Sequence, residues 1–211
     1  MIIVWSIKGG SGTTVTACSL ALRSPSPATI VDLAGDVPAV LGLPEPPGPG
    51  VGDWLHSPTA DADDLVLLAV PTRDGLSVVH TGSPPPPHAP WERLAAALGA
   101  HHDPRLGEVV VDAGLGEPPA ALARAATQSL LVTRSCYVSL RHGVRLAHRP
   151  TGIVLITEPG RSLAASSIEH AIGAPVVAQV PWDPAVARAV DSGMLGSRLP
   201  RSITSSLRRV A

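Results

Sequence analysis

Apolar residues in this chain come in short unbroken runs rather than in strict alternation: Ile2–Ser6, Thr29–Leu33, Leu76–His80, Val109–Ala113, Ser129–Thr133, Gly152–Thr157 and Val176–Val180. Runs of this kind, rich in Val and Ile, predict strands buried on both faces. Between them lie Ala-rich stretches that predict helices at Thr14–Arg23, Pro38–Leu43, Trp91–Leu98, Pro119–Ala126, Val138–Ala147, Ala164–Ile172 and Pro184–Ser192. Several of these open on Pro or a small polar residue, as helix N-termini do. The alternation predicts an α/β fold, a mainly parallel sheet with helices on both faces, built as one domain from residues 1–211. Leu65–Val70 suits either a strand or a short helix, and periodicity does not choose between them. The proline clusters Pro44–Pro49 and Pro84–Pro87 read as loops too short to separate domains, and no internal repeat is present.

Composition narrows the picture. A chain of 211 residues with 45% hydrophobic content and a mean hydropathy of +0.25 can bury a sizeable core. The formal net charge of -1 gives no global attraction to nucleic acid or anionic membrane, so such a partner would need a local patch. No apolar run approaches the ~20 residues that span a bilayer, and no basic region leads into a long apolar one, which together predict a cytoplasmic protein. Cys18 and Cys136 lack metal-ligand spacing and read as core fillers. The eight histidines, including the pair His101-His102, form no ligand constellation. Abundant Pro and Gly and the absence of Phe reflect codon bias and weaken compositional arguments.

One lysine stands among 16 basic residues, and it opens Lys8-Gly9-Gly10-Ser11-Gly12-Thr13-Thr14 directly after the first apolar run. A buried strand feeding a glycine-rich turn and then a helix is an arrangement that cradles phosphate: glycines let backbone N–H groups converge, and the helix N-terminus adds partial positive charge. The spelling resembles the deviant Walker A motif of the ParA/MinD family, Lys-Gly-Gly-x-Gly-Lys-Ser/Thr. In that family the leading signature lysine reaches across a nucleotide-sandwich dimer, the second lysine neutralises phosphate charge, and the hydroxyl meets magnesium. The match holds at Lys8, Gly9, Gly10, Ser11, Gly12 and Thr14 and breaks at Thr13, where the second lysine belongs.

The resemblance extends along most of the chain. Val109-Val110-Val111-Asp112 looks like the strand ending in a Walker B acid that orders magnesium, and the following Ala113-Gly114-Leu115-Gly116 is similar to the family's Asp-x-x-x-Gly switch. Ile30-Val31-Asp32-Leu33 matches the second strand and its acid. Relatives then carry an Asp that positions the attacking water, and Ala34 stands in its place. Asp36 is the nearby substitute, either catalytic or a helix N-cap. Gly35-Asp36-Val37-Pro38-Ala39-Val40-Leu41-Gly42-Leu43 resembles a stretch of the pilus-associated TadZ/CpaE members, although the loop before it is shorter here. Thr157 falls where relatives have an adenine-reading Asn, and Gly173 to Asp183 is similar to the segment whose Pro181 and Asp183 would lie beside the base. The resemblance therefore implies a site for ATP or ADP with magnesium: Lys8, Asp36 and Asp112 for chemistry, Thr14, Asp32 and Asp112 for the metal, and Gly9 through Thr14, Thr157, Pro181 and Asp183 for the nucleotide.

Partners are implied less directly. The resemblance implies a homodimer and a further partner protein. Arg141, Arg145 and Arg149 share one face of a helix predicted from Val138, which would track DNA phosphates, although a solvated face is commoner. Ile203, Leu207 and Val210 share a side near Arg201, Arg208 and Arg209, which suits either a small membrane-surface helix or docking onto the domain. Three departures, Thr13, Ala34 and Thr157, favour a weakly or non-hydrolysing relative that acts as a dimeric switch or scaffold. The alternatives are a working ATPase for cell-pole, septum or DNA positioning and a metabolic enzyme on the same fold.

Overall fold

A computed structural model describes residues 1–72, 75–99 and 102–210; His101 and the side chain of Arg209 lie outside the described residues. In chain order the elements are β1 (Ile2–Ser6), α1 (Thr13–Leu22), β2 (Ala28–Asp32), α2 (Val37–Leu41), α3 (Val51–His56), α4 (Ala62–Leu67), β3 (Val70–Pro71), β4 (Leu76–Val79) and α5 (Trp91–Leu98). They continue with β5 (Glu108–Leu115), α6 (Ala120–Ala125), β6 (Gln128–Arg134), α7 (Tyr137–Gly143), β7 (Gly152–Thr157), α8 (Ala165–Ile172), β8 (Val176–Pro181), α9 (Pro184–Asp191) and α10 (Arg201–Ser206).

The eight strands form one sheet in the order β3-β4-β2-β5-β1-β6-β7-β8, parallel throughout except for the short edge strand β3. Successive residues of β1 show why unbroken apolar runs were needed. Ile2 and Val4 enter a core shared with α1, α2 and α10, whereas Ile3 joins a core under α3 to α6 and Trp5 one under α7 and α8. Both faces are covered, so neither tolerates a polar alternate position. The Trp5 indole N–H has the one partner such burial requires, donating to Ser129 Oγ at 3.0 Å.

All seven expected strands and all seven expected helices are present, with shifted ends. The undecided stretch Leu65–Val70 divides: its start completes α4, capped reciprocally by Asp61 and Asp64, and its end enters β3. Sequence analysis missed α3, whose six residues are held by the closing of Gly50 and Asp53. One expectation fails in a way that matters. The helix expected over Val138–Ala147 stops at Gly143, the Arg145 N–H turning to the His142 carbonyl, and Glu117 holds the backbone N–H groups of Ala147 and His148 beyond it. Arg141, Arg145 and Arg149 consequently do not share a helix face, and the Arg149 guanidinium is turned onto the carbonyl of Ile172. At the C-terminus Ile203, Leu207 and Val210 are 4%, 1% and 3% exposed. That apolar side docks onto the domain and does not face a bilayer. No helix among the described residues is long and apolar enough to cross a membrane.

Candidate functional site

The carboxyl end of β1, near the middle of the sheet, delivers the chain into Lys8-Gly9-Gly10-Ser11-Gly12. Gly10 and Gly12 take φ of 72° and 90°, a region that costs other residues strain, and this backbone wraps the loop in front of α1. Ser11 Oγ donates to the Lys8 carbonyl at 2.6 Å and Thr16 Oγ1 to that of Gly12 at 2.8 Å, which fixes the loop to its own helix. No side chain caps α1. Its first backbone N–H groups are therefore available to an anion.

Two acids approach this loop from neighbouring strands, since Asp32 of β2 and Asp112 of β5 stand in register and are both fully buried. Their roles separate on geometry. Asp32 Oδ1 accepts the N–H groups of Ala34 and Gly35, and Oδ2 that of Val37, so its carboxylate organises the 34–37 turn. Asp112 Oδ1 accepts only the Gly114 N–H at 3.1 Å, and its buried Oδ2 has no partner. Burial pushes the Asp112 carboxyl up to about 6; the Thr14 hydroxyl opposes that shift without reaching hydrogen-bond geometry on Oδ2, and the Asp32 charge adds to it. An orphaned buried carboxylate oxygen beside a threonine hydroxyl suits a hard divalent cation such as magnesium, which takes oxygen ligands.

The bulge between β1 and β5 helps to place this acid. Register shifts after Val4, and Gly114 at φ 66° comes so close to Ala34 that an added Cβ would lie 2.8 Å from the Ala34 Cβ. Ala34 and Gly114 are thus packed against one another at the position where relatives carry a catalytic acid. Asp36 occupies the N-cap position of α2 but makes no side-chain capping bond. It lines, with Gly9 to Val15 and Ala113 to Leu115, a pocket of about 470 Å³. Thr13, 8% exposed, supplies a hydroxyl and no charge there.

A second cleft of about 300 Å³ opens on the other side of the same loop. Ser11, Gly12 and Val15 line both spaces. Its remaining wall is mostly apolar: Ile156, Val180, Pro181, Val186 and Val190, with Trp182 49% exposed at its rim. Pro181 and Asp183 line it. Thr157 does not, and its hydroxyl turns to the Val180 carbonyl at 3.4 Å. Asp183 is committed to structure, accepting Ala185 N–H and Ser202 Oγ–H, both at 2.8 Å. Arg134 was missed by sequence analysis. It lines the cleft, held by Glu158 at 2.6 Å, and Glu158 is itself kept below the usual carboxylate range by Arg161 and then Arg134. Only the strand-end position of Arg134 could have signalled it.

No family model and no curated protein matches the chain by sequence. Solved structures do match by shape. The chain is similar to the cell division ATPase MinD of Pyrococcus furiosus at 22% identity and a TM-score of 0.72, covering 100% of this chain and 98% of that one. It is similar to a ParA family ATPase from Chlorobium tepidum at 18% identity and a TM-score of 0.71, covering 98% and 94%. MinD of Pyrococcus horikoshii, solved with Mg-ADP, matches at 18% identity and a TM-score of 0.70, covering 98% and 93%. The chain has the ParA/MinD fold. In a ParA/MinD fold the uncapped helix, the glycine loop and the orphaned acid gather at the carboxyl end of the parallel strands, where crevices of open α/β sheets bind ligands.

Proposed function

We propose that this chain is a ParA/MinD-like positioning protein that binds ATP or ADP with magnesium weakly, hydrolyses it very slowly or not at all, and acts as a dimeric switch or scaffold. The observation that carries this reading is the charge of the phosphate pocket. It combines an uncapped helix N-terminus with Asp36 in the lining and the buried Asp112 two residues from lining Gly114, while Lys8 is the only lysine and Thr13 stands where a second would be. Phosphoryl transfer depends on preorganised charge, and removing one such group typically costs about 10²–10³ in rate.

In this reading the Gly9–Thr14 backbone holds the phosphates, Trp182 and Pro181 flank the base, and Asp112 with Thr14 would hold magnesium, Asp32 serving to fix the turn beside it. The ion would offset phosphate charge when bound. Lys8 makes no ion pair among the described residues, which suits a lysine reserved for a phosphate on a second subunit. Leu115, which lines the pocket, and Tyr137 and Val138 at the start of α7 are exposed by 68%, 71% and 47% and would supply apolar surface for such a two-fold partner. The stretch Gly35–Leu43 and its likeness to the TadZ/CpaE branch point to a role in placing a pilus-assembly machine.

Calorimetric titration with ATP and magnesium is the deciding experiment, combined with light scattering and a turnover assay. Weak nucleotide binding, a dimer with nucleotide, and turnover close to background are expected. Robust hydrolysis abolished by Lys8→Ala would overturn the scaffold reading, and a monomer at high concentration with and without nucleotide would remove the dimer.

A further inference from the structure

Helix α9 separates two spaces. Val186 and Val190 face the apolar cleft already described, while Arg188 and Ala189 border a different groove of about 750 Å³ completed by the 194–202 segment. Three guanidinium groups line this groove, those of Arg188, Arg198 and Arg201. All three residues are exposed, and none makes an ion pair or a side-chain hydrogen bond among the described residues. Several other arginines are tied down, Arg93 to two carbonyls, Arg105 to Asp103 and Asp63, Arg134 and Arg161 to Glu158, although Arg141 and Arg145 are not. The carboxylate in the lining, Asp183, accepts from Ala185 and Ser202, which hold it below the usual carboxylate range with a smaller contribution from the Arg188 charge.

The charge is local. Residues 184–211 carry five arginines and one aspartate in a chain whose net charge is -1, so this end is positive on an otherwise acidic protein. Between the guanidinium groups the lining is apolar, with Met194 48% exposed and Leu199 half-buried.

We propose that this groove docks an acidic segment of a partner protein, with carboxylates on Arg188, Arg198 and Arg201 and apolar side chains on Met194 and Leu199. Guanidinium forks match carboxylates in paired hydrogen bonds, and clusters of arginine are a recurring means of recognising acidic motifs. The other polyanions fit less well. A duplex would use the charges and leave the apolar lining unfilled. A flat anionic membrane does not enter a concave groove, and the apolar residues that would insert into it, Ile203, Leu207 and Val210, are buried. Asp183 borders both spaces, but none of the three arginines lines the cleft.

Fluorescence anisotropy with a short labelled peptide alternating Glu and Leu tests it. Saturable binding that weakens as salt rises is expected, and the combined change Arg188→Glu, Arg198→Glu and Arg201→Glu should weaken it by roughly 10–100-fold, as three exposed charge pairs allow. Met194→Ser leaves every arginine in place and adds no charge; it should weaken the Glu/Leu peptide several-fold and leave an all-Glu peptide unchanged. The proposal fails if the triple variant, with an unchanged circular dichroism spectrum, binds like the parent. It also fails if a Lys/Leu peptide binds equally well, or if a DNA duplex or phosphatidylglycerol vesicles bind through these arginines while the acidic peptide does not.

Discussion

The two sides of the Ser11–Gly12 loop are built on different principles. On the side proposed for phosphate the lining is mixed, glycine backbone with Ser11, Thr13, Thr14 and Asp36 beside Val15, Leu33 and Leu115, and a run of seven residues makes the loop while two strand-end acids stand in adjacent register. On the side proposed for the base the wall is mostly apolar and comes chiefly from β7, β8, α9 and α10, elements that the sequence spreads over more than fifty positions. The former is therefore sensitive to a single wrong charge, whereas the latter depends on packing area and tolerates substitution. Thr13 and Ala34 are departures of the first kind and Thr157 was expected to be one of the second.

The sharpest way to test that contrast is to restore the missing charge. Thr13→Lys is expected to tighten ATP and ADP with magnesium by about 10–100-fold, the value of a hydrogen bond to a charged group, with little effect on adenosine. Hydrolysis should stay low until Ala34→Asp is added, and that addition must also displace the Gly114 backbone packed on Ala34. Calorimetry on the single and double variants checks both points. Equal tightening for adenosine would show that the gain came from the base side.

Asp112 offers a break in the same half without nucleotide. Its carboxyl has a folded value of about 6 against an ordinary 3.8, so the folded state holds the proton more tightly. Stability contributed by the neutral form is then present at low pH and lost as pH rises from about 4 through 6, because the unfolded chain binds fewer protons in that window. Asp112→Asn should accordingly stabilise the apo protein by on the order of 2 kcal/mol at pH 8 and converge with the parent near pH 4. Urea unfolding at the two pH values measures this. A variant less stable at pH 8 would mean that the charged carboxylate has a partner.

The base side should respond more gently. Trp182→Ala removes half-exposed aromatic surface and is expected to weaken ATP, ADP and adenosine alike by about 2–10-fold. The smallest effect is expected at Thr157, whose hydroxyl points to Val180 O and not into the cleft. Thr157→Ala should leave affinities for ATP and GTP unchanged within error, and a clear change would return this residue to base recognition.

Much of the fold was legible because the buried strands had to be apolar at every position, as the division of Ile2, Ile3, Val4 and Trp5 among separate cores illustrates. Position was legible where residues are neighbours along the chain, in the glycine loop ahead of α1 and in the strand-end place of Asp112. It was not legible for Arg134, which becomes a cleft residue only when β6 is laid between β1 and β7. The arginines near 141–149 misled for the same reason. Spacing by four implies one face only while the helix lasts, and it ends at Gly143, with Glu117, thirty residues away along the chain from Ala147, holding the segment that follows.

By itself the sequence determined the layered α/β architecture, the glycine loop ahead of the first long helix, and the absence of a lysine at Thr13, all of which depend on residues close along the chain. Tertiary structure alone decided which of two adjacent buried acids keeps a free oxygen. It also decided whether the C-terminal apolar stripe meets the domain, and how Arg188, Arg198 and Arg201 come to line one groove. Hydrogen-bond competition and packing between distant segments fix those outcomes, and neither leaves a signature in local pattern.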